Sequence, residues 1–178
     1  MASAVGASLL MMVAGLPKTR SGSDDDRKAL AEARAVLGSA QRALEQAVDA
    51  DTAAYDRVVA AYKLPKATEA EQAARKAAVQ QALRAATDVP LDVMRLSAGA
   101  LVAAATVASH GHKAAASDVG VAVALLEAGL TGARLNVEIN VGSLSDAAYV
   151  DRVKDEVSRL ERDGRTVAGT ARSLLQSG

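Results

Sequence analysis

Counting in sevens from Leu30 gives Leu37, Leu44, Asp51 and Val58, and the same count from Ala33 gives Ala40, Ala47, Ala54 and Ala61. A repeat of this period commits the stretch to one long helix that packs along a Leu and Ala stripe. The α-helix brings residues three and four apart onto one face, where a strand alternates its faces every residue. Asp51 is the one polar residue among those ten positions, so the repeat predicts a carboxylate directed into the interior. An ionised group placed there is strongly disfavoured unless something pairs with it. Two readings stay open: a polar device that fixes helix register or bonds a buried Lys or Arg, or a charge kept for a ligand or a reaction.

The remaining punctuation is helical too. Met1 to Leu16 is uncharged and ends at Pro17; it lacks a basic leader and is too short to span a bilayer, so it reads as a buried helix. Ser23 followed by three Asp is an N-cap with acids that complement the helix dipole, starting the seam helix that runs to about Leu64. Thr68 with Glu71 forms a capping box for a third helix ending near Ala86, and Pro90 suits the first turn of a fourth that Gly111 closes. Asp118 to Leu130 is apolar on nearly every side, as expected of a central helix surrounded by others. There Gly120, Ala124, Ala128 and Gly132 read as a tight packing stripe. After Gly142 an amphipathic helix follows, with Gly164 as a candidate kink. Phe and Trp are absent and period-two alternation is confined to Val119–Val123, so strands are disfavoured. The expectation is one all-α helical bundle domain over residues 1–178.

Composition narrows the chemistry. With 42 Ala and three aromatic residues, the core must be built by close helix approach rather than by large side chains. Twenty-one basic and 21 acidic residues cancel, which argues against nucleic acid or an anionic membrane as an electrostatic partner. The lack of Cys removes disulfides, thiolate catalysis and Cys-ligated metal, and fits a cytoplasmic location. His110-Gly111-His112 offers two ligands, too few for a metal without a carboxylate cluster beside them, so no metal is expected. P-loop, G-x-S-x-G and G-x-G-x-x-G patterns are missing.

Several polar groups are candidates for binding. Lys63 and Lys66 surround a helix C-terminus and suit either the dipole or an anionic tail. Ser117-Asp118 opens an apolar helix and suits either capping or a buried carboxylate. Asn136 and Asn140, one turn apart, suit either interhelical hydrogen bonding or the edge of a flat heterocycle.

Asp51-Thr52-Ala53-Ala54-Tyr55, Lys63-Leu64-Pro65-Lys66-Ala67-Thr68, Val89-Pro90-Leu91, Ser117-Asp118-Val119-Gly120-Val121 and the run Gly132 to Asn140 occur in an order and spacing that resembles the formiminotetrahydrofolate cyclodeaminase and methenyltetrahydrofolate cyclohydrolase family, from about Ala4 to about Arg162. The resemblance implies an all-helical homodimer that binds a folate substrate near the subunit interface and needs no cofactor or metal. It makes Asp118 and Asp51 candidate catalytic residues, and Lys63, Lys66, Asn136, Asn140, Ser117 and Tyr55 candidate substrate-binding residues. Cyclohydrolase is the first expectation, since 178 residues leave no room for a formiminotransferase domain. Cyclodeaminase is the alternative, and a non-catalytic folate-binding or structural dimer the third reading. Two departures stand out. The family's initial helix and Gly-Gly-Gly-Ser turn have no counterpart before Met1, which leaves open an internal methionine taken as the start or a real loss. His112 also replaces a common Asn.

Overall fold

The computed structural model describes residues 1–176 and consists of five α-helices: α1 (Ala2–Ala14), α2 (Asp24–Tyr62), α3 (Glu69–His110), α4 (Ala116–Val141) and α5 (Ala147–Gln176). No strand is formed among the described residues; a lone bridge joins Thr19 to Gly111. Local chemistry sets most helix ends. The Ser23 side chain accepts from the Asp26 N–H, and Thr68 and Glu71 form the reciprocal capping box. Gly111 and Gly142 stand at the C-caps of α3 and α4.

The hub is α3, which packs on α2, α4 and α5, while α1 lies between α2 and α4. Leu10, Leu37, Met94, Leu101, Val107, Val123, Leu126 and Val137 form the fully buried centre. Small residues let the backbones approach, as the Ala content requires. A Cβ on Gly6 of α1 would come 2.9 Å from the Ala122 carbonyl oxygen of α4, and one on Gly129 would overlap Ser3. Ser97 donates its hydroxyl to the Val93 carbonyl at 2.7 Å, so the 2.8 Å contact with Ser3 is donated by Ser3, pinning α1 to α3 inside the core.

Three expectations need correction. The helices expected on either side of Pro90 are one 42-residue helix, with Pro90 in its interior. The last helix runs through Gly164 unbroken; that glycine instead makes room for Leu130, whose Cδ2 would lie 2.6 Å from a Cβ there. And α4 is not surrounded. Val121 (53%), Leu135 (48%) and Ile139 (72%) are exposed, and so are Ala124, Ala128 and Gly132, so most of the small-residue stripe packs against nothing in its own chain. The five helices of one copy simply do not supply a neighbour for that side.

Among the acids, Asp26 rather than Asp51 is the buried one, at 7% exposure. Its carboxylate meets His110 Nδ1 at 2.7 Å and accepts from the Ser21 backbone N–H and hydroxyl, tying the α1–α2 loop to the end of α3. The hydrogen bond with His110, reinforced by those from Ser21, holds Asp26 well below the usual carboxylate range.

Candidate functional site

A groove of about 460 Å³ opens where the N-terminus of α1 meets the middle of α2, the Pro90 segment of α3 and the second half of α4. Its floor is apolar, from Leu44, Ala47, Val48, Val93 and Ala133. Its polar groups are Asp51 and Thr52 from α2, Ser3 from α1 and Asn136 from α4. Volume and lining suit a small organic ligand.

The heptad explains why Asp51 arrives here and why it is not buried. Antiparallel to α2 and much shorter, α1 contacts it near Gly38 through Met11 and near Arg34 through Gly15, and it runs out beside Leu44–Asp51. The seam that α1 covers at Leu30 and Leu37 is therefore uncovered at Asp51, whose side chain is exposed. The expected interior carboxylate is a groove-lining one, and the anticipated desolvation cost does not arise. Asn136 is likewise exposed rather than buried.

The first turn of α1 adds donors of its own. Met1 offers no side-chain cap, and the first backbone bond of the helix is Val5 N–H to Met1 O, so the N–H groups of Ala2 to Ala4 have no acceptor within the helix. A carboxylate, a bidentate amide and the N–H groups at the positive end of a helix can respectively stabilise a cation, read the edge of a flat heterocycle and hold an oxygen.

Other expected site residues lie elsewhere. Lys63 caps α2 twelve residues past Asp51, about 18 Å along the axis at 1.5 Å per residue. Lys66 lines a separate depression with Tyr62, Gln72, Arg75 and Lys76. There Arg75, which the sequence did not single out, donates to the Tyr62 carbonyl at 3.1 and 3.2 Å and lies over its ring. Tyr55 is 66% exposed and outside the groove. Ser117 does not cap α4, whose N-cap is Ala115; it is exposed, and Asp118 is half-buried beside it in the first turn. Eighteen residues separate Asp118 from Asn136, which is five full turns, so the two share one face of α4 at about 27 Å.

Asn140 is half-buried and donates its side-chain amide to the Ala86 carbonyl of α3 at 2.8 Å. The structure thus separates the two asparagines: Asn136 lines the groove and Asn140 stands behind it. Among the described residues, no group of three or more His, Asp or Glu side chains is placed to hold a metal ion. His110 Nδ1 is engaged by Asp26.

Comparison with known proteins places these features in context. The family model described as formiminotransferase-cyclodeaminase matches residues 1–159. A methenyltetrahydrofolate cyclohydrolase of Methylorubrum extorquens is 37% identical over 157 residues, 88% of this chain and 76% of that protein. A formimidoyltransferase-cyclodeaminase of Sus scrofa is 35% identical over 139 residues, 78% of this chain but only 26% of that longer protein. Among solved structures, a formiminotetrahydrofolate cyclodeaminase of Thermotoga maritima matches with a TM-score of 0.87 at 24% identity, over 99% of this chain and 84% of that one, which supports the same helical architecture.

Proposed function

This chain belongs to the formiminotransferase-cyclodeaminase family, and from that premise we propose that it is an enzyme of folate one-carbon metabolism that hydrolyses methenyltetrahydrofolate to formyltetrahydrofolate. The observation that carries the reading is the groove, where Asp51 of α2 and Asn136 of α4 converge on the first turn of α1. The 37% identity to a cyclohydrolase, over 76% of that protein's length, favours hydrolysis over ammonia release.

Asn136 meets the pterin edge, the apolar floor takes the aromatic bridge, and the Asp51 carboxylate faces the cationic methenyl carbon. As water attacks and the ring opens, positive charge is lost from the ligand and a proton must move. The Asp51 carboxylate holds the cation in the groove electrostatically, and the proton released by the attacking water passes to an acid/base group. Asp118 is the acid/base in this proposal, with Ser117 beside it, and Lys63 and Lys66 anchor the anionic tail. No cofactor or metal is required by this chemistry.

In one copy Asp118 is too far away to act on a ligand at Asp51, and the open face of α4 suggests how the distance closes. Small residues at Ala124, Ala128 and Gly132 between Val121, Leu135 and Ile139 suit close packing against a second copy of the same helix. If two α4 helices cross antiparallel, the partner subunit's Asp118 comes to the Asn136 end of the first. A cytoplasmic homodimer with folate at the subunit seam is the resulting proposal.

Loss of methenyltetrahydrofolate absorbance in the presence of purified protein tests it directly. A rate no faster than the uncatalysed one removes the cyclohydrolase reading. Ammonia release from formiminotetrahydrofolate would then select the cyclodeaminase alternative.

A further inference from the structure

A proline inside a helix cannot donate to the carbonyl four residues back, and its ring pushes that carbonyl away. For Pro90 the abandoned acceptor is the carbonyl of Ala86, and it is the one that Asn140 Nδ2 meets at 2.8 Å. The α3 segment freed in this way is the groove wall, since Val89, Pro90 and Val93 all line it. On the neighbouring face Tyr149 donates its hydroxyl to Asp88 at 2.7 Å, so α4 and α5 both fasten the same turn.

We infer that Asn140 is a positioning residue: its side-chain amide replaces the N–H missing at Pro90, and so fixes the α3 turn against which a ligand in the groove packs. Asn140 then reaches the substrate through the backbone of residues 86–93, whereas Asn136, one turn earlier on α4, touches it. The inference rests on the folate-site reading of the groove for its catalytic consequence, but the stitch itself is independent of any activity.

The test uses the fact that Ala at position 90 restores the lost donor. With the full-length protein, Asn140→Ala is expected to raise the KM for methenyltetrahydrofolate about five- to tenfold, with kcat changed by less than about threefold. Hydrogen exchange across 86–94 should be faster in the ligand-free protein. In the Pro90→Ala background the Ala86 carbonyl regains a helix partner. Asn140→Ala there should change KM by less than about twofold relative to Pro90→Ala alone, and exchange across 86–94 should no longer respond. Equal losses in the two backgrounds would overturn the inference and place Asn140 on the substrate directly. Exchange that ignores Asn140→Ala in the native background would overturn the stitch itself. Should the unmutated chain show no activity, the folate reading falls while the exchange comparison still decides the stitch. If Asn140→Ala is too unstable to purify, Asn140→Asp, which keeps the shape but replaces the donor nitrogen with an acceptor oxygen, is read in the same two backgrounds.

Discussion

At the residue scale, burial and the proposed function fall to different acids. Asp26 is sunk under the α1–α2 loop and committed to His110 and Ser21, whereas Asp51 is exposed on a groove. The two therefore respond oppositely to removal. With its folded-state pKa depressed, Asp26 stabilises the fold fully above the ordinary Asp value of about 4, and that contribution is lost as the pH falls below it, because the unfolded chain takes up the proton first. Thermal melts of Asp26→Asn should show a lower Tm at neutral pH and a shallower decline from pH 5 to pH 3 than the parent protein. Asp51→Asn should leave the melt within about 2 °C of the parent, as expected of an exposed substitution, and lower kcat/KM by about a hundredfold or more, as loss of an electrostatic stabiliser does. A normal rate in Asp51→Asn would remove its proposed role. Asp118→Asn retaining full activity would do the same for Asp118.

Elements add what residues cannot. The α1–α4 crossing is held at backbone distance by Gly6 and Gly129, and Ser3 occupies the space that a side chain at 129 would need. Gly129→Val should cost about 1–3 kcal/mol by overpacking, seen as a shift in the denaturant midpoint, and should also widen the groove because Ser3 sits on its edge. Capping was legible in advance at this scale: Ser23, and Thr68 with Glu71, do what their spacing implied, because a cap is satisfied within four residues of chain. Pro90 was not. Whether a proline ends a helix or bends it depends on who answers the stranded carbonyl, and the answer comes from Asn140, 54 residues further along. Between α3 and α5, Arg95 grips Glu156 through two hydrogen bonds at 2.8 and 2.7 Å and also holds Asp92 at 2.6 Å. The Arg95 hydrogen bond keeps the Glu156 carboxyl below its ordinary range, and this link is half-exposed and correspondingly modest.

For the whole molecule the open side of α4 is the dominant fact. Of the most apolar 18 residues within Lys113–Val141, only 33% are buried within one copy, and α1 exposes Val5 and Met12 as well. A second copy seated on α4 should give a particle of twice the 18.1 kDa chain mass by light scattering. Ile139→Glu, which places a charge on that face without touching the core, should return the monomer and lose activity together. Activity retained by a monomeric Ile139→Glu protein would show that the site is complete within one chain.

Period and caps were enough to establish an all-α chain, the starts of α2 and α3 and the apolar sides of α2 and α5, since those signals act over one or two turns. The ordered motifs also pointed to the right family. What stayed hidden was which side of each apolar stripe meets a neighbour. Asp51 occupies a true seam position, but a seam is buried only as far as the opposing helix extends, and α1 gives out beside it. The same missing neighbour turns the Ala124–Gly132 stripe outward and opens the groove to Asn136, while Asp26, reading as one of three capping acids, ends up buried. Helical phase is written in short stretches of chain; solvent access is settled by the lengths and crossings of helices far apart in it.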